Sequence, residues 1–249
     1  MNMKKKALFA SMIGAALMLS CGSNSQQADL QADINGQHQT DGDSTIYGLA
    51  CDGCTDTILV ILRDVRKDPD TLNILEASRR HRVFGSLNIG HKVAVMRNAE
   101  DSTVGDIVID MGSLRGKWCY KVMPVMRRRA NMPEKTEEQL LQMLPDSLRE
   151  LLMTPREYGF HLIGEGSIRP IGEHQRALTS DDKHFVDYPT QPRYRDWKIA
   201  NGLLVFSEVG IDSLGKQQTV HSDTAQLELL TPDTLVLRFK DRLQGYYKK

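Results

Sequence analysis

The chain lacks a net charge that could recruit a polyanion. Its 249 residues contain 32 Lys and Arg and 32 Asp and Glu, so the formal charge is zero at pH 7. Proteins that hold nucleic acid by its phosphate backbone usually carry a strongly basic surface. The balanced composition therefore argues against nucleic acid as a partner.

The sequence also lacks the short motifs of common hydrolases and nucleotide-binding proteins. It contains no HExxH zinc-binding pattern and no GxSxG nucleophile elbow. Residues 210–217 approach the pattern of a phosphate-binding loop, but Gln217 replaces the Ser or Thr that would hold magnesium. That segment also lies between predicted strands instead of before a helix. We therefore expect a protein that is not an enzyme and has no catalytic residues, no metal, no nucleotide and no other cofactor.

Only the N-terminus carries a long apolar run. Three lysines precede the segment Ala7–Leu19, which is shorter than the roughly 20 residues that a membrane-spanning helix needs. Ser20 and Cys21 follow, which is the layout of a secretory signal with a small residue before the cut. Met18–Cys21 resembles the lipobox of bacterial lipoproteins. The resemblance implies a signal peptide over residues 1–20, cleavage before Cys21, and attachment of lipid such as palmitate to its thiol.

Residues 21–44 contain many Gln, Asp, Ser and Gly residues and almost no large apolar ones. Such a segment cannot bury enough surface to offset the entropy lost on ordering. We expect a flexible tether between the lipidated Cys21 and a folded body.

Residues 45–130 predict a small β domain. Asp52-Gly53 separates two β-rich runs, which indicates a hairpin of strands near 45–51 and 54–63. Further short strands are predicted near 88–97, 103–110 and 117–122. Short strands with Gly and Asp turns are typical of a small barrel or sandwich, and the OB-fold is one candidate.

Residues 131–156 change to a helical period. Leucines recur at helical spacing after Pro133, and Pro145 interrupts them, so we expect two short helices. This segment is predicted to connect the small β domain to a second one.

Strand patterns return in residues 157–249. Asn201-Gly202 indicates a tight hairpin, and 231–234 reads as a turn. Apolar and polar residues alternate from Leu235 to Lys240, as in a half-buried strand. The fold class is therefore mainly β, with two small antiparallel barrel or sandwich domains joined by a short helical segment.

Strand and turn patterns stand out in five segments: Trp197–Val205, Leu230–Arg238, Tyr246–Lys249, Tyr47–Thr55 and Lys117–Tyr120. In these segments the chain resembles an uncharacterised family of Bacteroidota-type lipoproteins with a C-terminal lipocalin-like domain. Many lipocalins have Gly-x-Trp near their first strand, and here 158–160, Tyr-Gly-Phe, stands at that place. The resemblance implies a small antiparallel barrel over residues 157–249, without naming a ligand.

Lipoproteins of such bacteria reach the cell surface when acidic residues closely follow the lipidated cysteine. The first acidic residue after Cys21 is Asp29. This spacing favours a cell-envelope protein on the periplasmic face of the outer membrane over one on the cell surface.

If Cys21 carries the lipid, three other cysteines remain: Cys51, Cys54 and Cys119. A lipoprotein of the cell envelope lies in an oxidising compartment, where cysteines form disulfides. Cys51 and Cys54 flank the predicted Asp-Gly turn, so their Cα atoms would lie within about 7 Å, inside disulfide range. Cys119 is then unpaired, although it could replace either partner. Two alternatives remain open: a redox-active CxxC, or zinc bound by thiols and a histidine.

Three functional hypotheses follow. The first is a lipid-anchored, non-enzymatic envelope protein whose lipocalin-like domain binds a small apolar ligand or another protein. The second is an envelope assembly or adhesion factor that binds protein or glycan. The third is a thiol-dependent or zinc-binding protein centred on Cys51 and Cys54.

Overall fold

The structure is a computed structural model that describes residues 42–126, 136–164, 166–172, 186–211 and 215–249. It is mainly β, with two large sheets and a few short helices, which confirms the predicted fold class. Within these ranges no helix is both long and apolar enough to cross a membrane. Cys21, the predicted signal peptide and nearly all of the predicted tether lie outside the described residues.

The first sheet has six strands in the order β3-β2-β1-β5-β6-β4. All neighbours are antiparallel except β4 and β6, which run parallel. The elements are β1 (Thr45–Ala50), β2 (Ile58–Leu62), β3 (Asp70–Asn73), α1 (Leu75–Arg79), β4 (Val83–Phe84), β5 (Lys92–Arg97) and β6 (Gly105–Asp110).

This sheet curves into a partly open barrel, here called the small barrel. Asn73 at the end of β3 forms a parallel bridge with Val104, just before β6, and its N–H donates to the carbonyl of Thr103 at 2.9 Å. With α1 between β3 and β5, this is the connectivity of an OB-type barrel. Its core is lined by buried aliphatic side chains from β1, β2, β3, β5, β6 and α1: Ala50, Leu59, Ile61, Leu72, Ile74, Ala77, Val93, Val95 and Val108.

The second sheet has eight strands in the order β10-β9-β7-β16-β15-β14-β13-β12, and every pair is antiparallel. Its elements are β7 (Gly116–Val122), β9 (Arg156–Gly164), β10 (Ser167–Ile171), β12 (Asp196–Ala200), β13 (Leu203–Ile211), β14 (Gln217–Leu230), β15 (Thr234–Arg238) and β16 (Leu243–Lys248).

The eight strands follow one another in chain order around a nearly closed barrel, here called the large barrel. The remaining gap lies between β10 and β12. It is bridged by the Ile168 N–H, which donates to the Arg195 carbonyl at 3.3 Å, and by the Trp197 indole N–H, which donates to the Gly164 carbonyl at 2.8 Å. Buried residues alternate with more exposed ones along β12, the first half of β13 and β15, as in an up-and-down barrel.

The first strand of the large barrel is β7, and this differs from the sequence expectation in two ways. β7 lies inside the predicted 45–130 domain but pairs with β9 and β16. The 158–160 segment lies in β9, the second strand of this barrel, and the sequence Gly116-Lys117-Trp118 stands at the start of the first. Gly116 has φ +130° and lies against the Lys248 side chain, where a Cβ would come within 2.7 Å. The predicted domain boundaries stay a prediction, but they place β7 in the small β domain, whereas β7 pairs with strands of the large barrel.

The predicted connector contains two short helices, α3 (Glu137–Gln142) and α4 (Asp146–Leu152), with Pro145 as the N-cap of α4. Thr136 and Gln139 form a capping box at the start of α3. The helices pack near two small strands, β8 (Val125–Met126) and β11 (Val186–Asp187), which pair with each other. Apolar side chains of this layer meet β7 and β9, so the segment covers the barrel wall as well as connecting the two barrels.

The Asn201-Gly202 hairpin is confirmed, because both residues have positive φ and Ala200 pairs with Leu203. The Asp52-Gly53 hairpin is confirmed only as a pairing of β1 with β2. β2 begins at Ile58 and not at residue 54, so the connection is a longer loop than the predicted two-residue turn.

The small barrel covers one end of the large barrel, here called the closed end. Met111 and Leu114 of a short helix, α2 (Met111–Leu114), join the core of the large barrel. The Tyr47 hydroxyl donates to the Ile199 carbonyl at 2.6 Å, and the Asn201 N–H donates to Asp43 Oδ1 at 2.9 Å. The opposite end, where β7 finishes and β16 begins, is here called the mouth.

Candidate functional site

Aromatic side chains of the described residues pack against one another in the interior of the large barrel. Phe206 lies at the centre with its ring centroid 5.4 Å from Phe160 and 5.2 Å from Tyr194. Phe160 in turn lies 5.0 Å from Tyr246, and Phe239 lies 6.2 Å from Phe206. All five residues are buried. Rings at these separations are in contact, which leaves little room for a guest along this axis of the barrel.

A polar chain lies at the mouth beside this aromatic cluster. The Tyr194 hydroxyl donates to Asp223 Oδ2, and His221 Nε2 lies 3.1 Å from Asp223 Oδ1. Burial, together with the hydrogen bond to Asp223 and the charge of that carboxylate, raises the pKa of Tyr194. The phenol therefore stays protonated and fixes the base of the β13–β14 hairpin, which projects beyond the mouth.

Two other phenol groups reach the mouth. Burial raises the pKa of Tyr120 and of Tyr246, while the nearby Arg242 opposes the change. Neither hydroxyl has a hydrogen-bond partner within the part of the chain that the structure describes. The Arg242 guanidinium lies 4.5 Å from the Phe239 ring centroid and pairs with Asp241 at 3.1 Å. The mouth thus combines aromatic rings, two phenol hydroxyls without a partner among the described residues, and the guanidinium of Arg242.

An open groove of about 530 Å³ lies on the small barrel, between β3 and the turn before β6. Its lining is mostly hydroxyl, amide and aliphatic: Thr57, Ile58, Thr71, Leu72, Asn73, Leu75 and Thr103. The nearby Asp70 pairs with Arg63 at 3.3 Å and with Arg97 at 3.7 Å, so its charge is neutralised. β3 lies at the edge of its sheet apart from the bridge between Asn73 and Val104, and a groove beside such an edge can take an extended segment by main-chain hydrogen bonding.

Cys51 and Cys54 lie in the loop between β1 and β2 and are present as free thiols. Cys54 Sγ accepts a hydrogen bond from the Val60 N–H at 3.4 Å and lines a pocket of about 170 Å³ with Ser86. Burial raises the pKa of the Cys51 thiol, which disfavours a reactive thiolate. The candidate disulfide between the two cysteines stays a prediction.

Cys119 lies in β7 of the large barrel, in a different sheet from the CxxC loop. It is fully buried, and burial followed by the charge of Glu157 raises the pKa of its thiol. Among the residues that the structure describes, no group of three or more His, Cys, Asp or Glu side chains could hold a metal ion. The structure therefore does not bring Cys119 together with the CxxC loop.

A buried polar junction, which the sequence patterns did not predict, lies between the two barrels. Asp110 is fully buried and accepts from His91 Nδ1 at 2.9 Å, from Ser113 Oγ at 2.7 Å and from the Gly112 N–H at 2.8 Å. A buried carboxylate needs such partners to offset its lost hydration. The signal available was a helix N-cap, Asp110 followed by Ser113 three residues later. The junction holds α2, which leads into β7.

Trp118 completes this junction. Its indole N–H donates to the Leu114 carbonyl at 2.7 Å, and Lys248 Nζ lies 4.8 Å from its ring. The same amine donates to the Ser113 carbonyl at 3.2 Å. The first and last strands of the large barrel are thereby joined to α2 at the closed end.

These features define a two-barrel β protein in which the OB-type small barrel covers one end of the eight-stranded antiparallel large barrel. No protein-family model matches the chain, and no curated protein matches it. Among solved structures, it is similar to a lipocalin-like protein from Bacteroides thetaiotaomicron, known from a crystal structure at 1.95 Å resolution. The identity is 15%, the match covers 54% of this chain and 94% of that chain, and the TM-score is 0.25.

Proposed function

We propose that the protein is a lipid-anchored, non-enzymatic component of the cell envelope that binds another envelope protein. The large barrel is a rigid scaffold, and the groove on the small barrel is the binding site. The observation that carries this proposal is the packing of aromatic rings around Phe206 inside the large barrel, which favours a role in interaction over carriage of a ligand inside.

The groove suits an extended, uncharged peptide segment. Thr71, Asn73 and Thr103 offer hydroxyl and amide groups, while Ile58 is 40% exposed and offers an apolar contact. An added strand along the β3 edge would gain main-chain hydrogen bonds, and alternate side chains would enter the groove.

Site-specific photocrosslinking tests the groove. A photoreactive phenylalanine replaces Thr71 in cells that make the full chain, and the matched control places it at Leu229, which is 43% exposed on the large barrel. We expect a discrete adduct with one envelope protein from position 71 and none from 229. A second substitution, Thr103→Arg, should abolish that adduct by filling the groove. Identical adducts from both positions, or an adduct that Thr103→Arg leaves unchanged, would contradict the proposal.

The lipid anchor is tested separately. Mass spectrometry of the mature chain from its own membrane should show cleavage before Cys21 and the added mass of acyl chains. A Cys21→Ser chain should not be processed. An unmodified Cys21 in the mature protein would remove the anchor from the proposal and leave the groove unaffected.

A second candidate function is the binding of a small apolar ligand at the mouth. It is favoured by the hydroxyls of Tyr120 and Tyr246, which have no hydrogen-bond partner within the described ranges. A hydrophobic dye displaced by fatty acid in wild type, but not in a Tyr246→Phe and Tyr120→Phe double variant, would support it. Equal displacement in both proteins would oppose it.

A further inference from the structure

We propose that the mouth of the large barrel rests on an anionic lipid surface. This inference concerns a surface opposite the groove and goes beyond the proposed function. It rests on three observations: the apolar side chains around the mouth, the local excess of positive charge, and the position at which the described chain begins.

Large apolar side chains stand exposed around the mouth. Met123 follows β7 and Leu243 begins β16, two neighbouring strands, and they are 52% and 57% exposed. Ile211 and Val220 lie in the β13–β14 hairpin beyond the mouth and are 77% and 70% exposed. Exposed apolar side chains that follow a rim mark a surface for a partner or a membrane.

The same rim is basic although the whole chain is neutral. The described segments that form it, 121–126, 193–195, 208–211, 215–224 and 238–243, contain seven Lys or Arg and three Asp or Glu. Glu228 of β14 pairs with Arg238 at 2.6 Å, so with this carboxylate the net charge of the rim is +3. Asp223 is occupied by Tyr194 and His221, and Asp241 pairs with Arg242. Lys or Arg residues beside exposed apolar side chains are typical of surfaces that enter the interface of a bilayer with anionic lipids.

The start of the described chain makes this orientation reachable. The Gly42 carbonyl accepts from Asn201 Nδ2 at the closed end. β7 has seven residues, so the large barrel is only about 23 Å tall at roughly 3.3 Å per residue. The segment from Cys21 to Gly42 can span at most about 70 Å at about 3.3 Å per residue. A lipid at Cys21 would therefore permit the mouth to reach the membrane that holds the anchor.

This orientation has a consequence for the groove. A mouth on the bilayer turns the closed end and the small barrel away from the lipid. The groove beside β3 would then face proteins outside the membrane. The two proposals are compatible: the orientation rests on the lipid anchor of the proposed function but not on its groove.

Depth-dependent quenching tests the contact. The full chain, purified from membranes in detergent, is reconstituted into vesicles of phosphatidylcholine with phosphatidylglycerol, the latter brominated in its acyl chains. Both native tryptophans are buried in the large barrel. Leu243→Trp places a reporter at the mouth, and the matched control Ile89→Trp places one on the small barrel, where Ile89 is 69% exposed.

We expect the brominated lipid to reduce the Leu243→Trp emission by about half and to leave the Ile89→Trp emission unchanged, because only the mouth enters the interface. Adding Lys240→Glu should weaken the quenching, because it replaces a positive charge at the mouth by a negative one. Raising the salt to about 1 M should weaken it as well, because charge attraction is then screened within about 3 Å. Val220→Trp provides a second reporter if Leu243→Trp does not fold.

Three results would overturn the inference. They are equal quenching at both positions, no quenching at either position of vesicle-bound protein, and quenching that is insensitive to lipid charge. A dimer in ultracentrifugation that Leu243→Lys dissociates would also overturn it, by assigning the mouth to a second copy of the chain. Failure of the chain to associate with any vesicle would count against both the inference and the lipid anchor, whereas equal quenching at both positions of bound protein would count against the inference alone.

Discussion

Replacing Phe206 by alanine should both destabilise the large barrel and open a cavity inside it. Phe206 is fully buried, and its ring contacts the rings of Phe160, Tyr194 and Phe239. A buried Phe→Ala change costs about 3–5 kcal/mol from lost transfer energy and the residual cavity. For a chain of this size each kcal/mol lowers the Tm by about 2–4 °C, so the expected fall is roughly 10 °C.

Urea denaturation followed by tryptophan fluorescence measures this loss. The chain has two tryptophans, Trp118 and Trp197, and both are buried in the large barrel, so the signal reports that unit. Leu243→Ala is the control, because an exposed side chain on the same barrel should change stability by no more than about 0.5 kcal/mol.

The cavity itself provides a second readout. Benzene or xenon should raise the Tm of Phe206→Ala and leave wild type unchanged, since an apolar cavity lined by such side chains stays dry and binds small apolar guests. A loss of under about 1 kcal/mol, or a wild type that benzene already stabilises, would refute the conclusion that the packed rings leave little room for a guest.

Three further predictions concern the backbone, a carboxylate and a thiol. Gly159→Ala should unfold the large barrel at ordinary temperature in a thermal melt, because a Cβ there would lie 1.9 Å from the Trp118 carbonyl oxygen; a Tm within a few degrees of wild type would contradict this. Burial opposes ionisation of Asp43, but hydrogen bonds that include the Asn201 N–H outweigh it and lower its pKa below 3.8. Asp43→Asn should therefore lower the free energy of unfolding by about 1–2 kcal/mol at neutral pH. In urea titrations this difference from wild type should shrink only as the pH falls below 3.8, because protonation of Asp43 removes the stability that its lowered pKa supplies. Cys119 should resist a thiol reagent until the protein unfolds, because it is buried and its pKa is raised; two thiols that react in the native protein would show that the predicted disulfide in the CxxC loop is absent.

Much of the fold was predictable where the signal is local. Asn201-Gly202 indicates a hairpin because only a few residue types adopt positive φ at two successive positions. Pro145 predicts the break between α3 and α4 because it cannot continue a helix. The Asp52-Gly53 loop was only half predicted, since the chain there uses a longer connection before β2.

The candidate sites were less predictable because each joins distant parts of the chain. The groove lies between Thr71 and Thr103, and the polar chain at the mouth joins Tyr194 to Asp223. Asp110 gave a local N-cap signal, but nothing near it in sequence indicated the contact with His91. The sequence pattern could suggest which residues are buried without stating which ones meet.

The sequence by itself determined the mainly β class, the short helices and the turn positions, because backbone propensity and the period of apolar residues act over a few residues. Only the tertiary structure decided that β7 is the first strand of the large barrel. Trp118 pairs with Lys248 from the far end of the chain, and a strand carries no local mark of its partner. Strands pair so that their apolar side chains pack in a common core. In the large barrel this core includes the aromatic rings around Phe206.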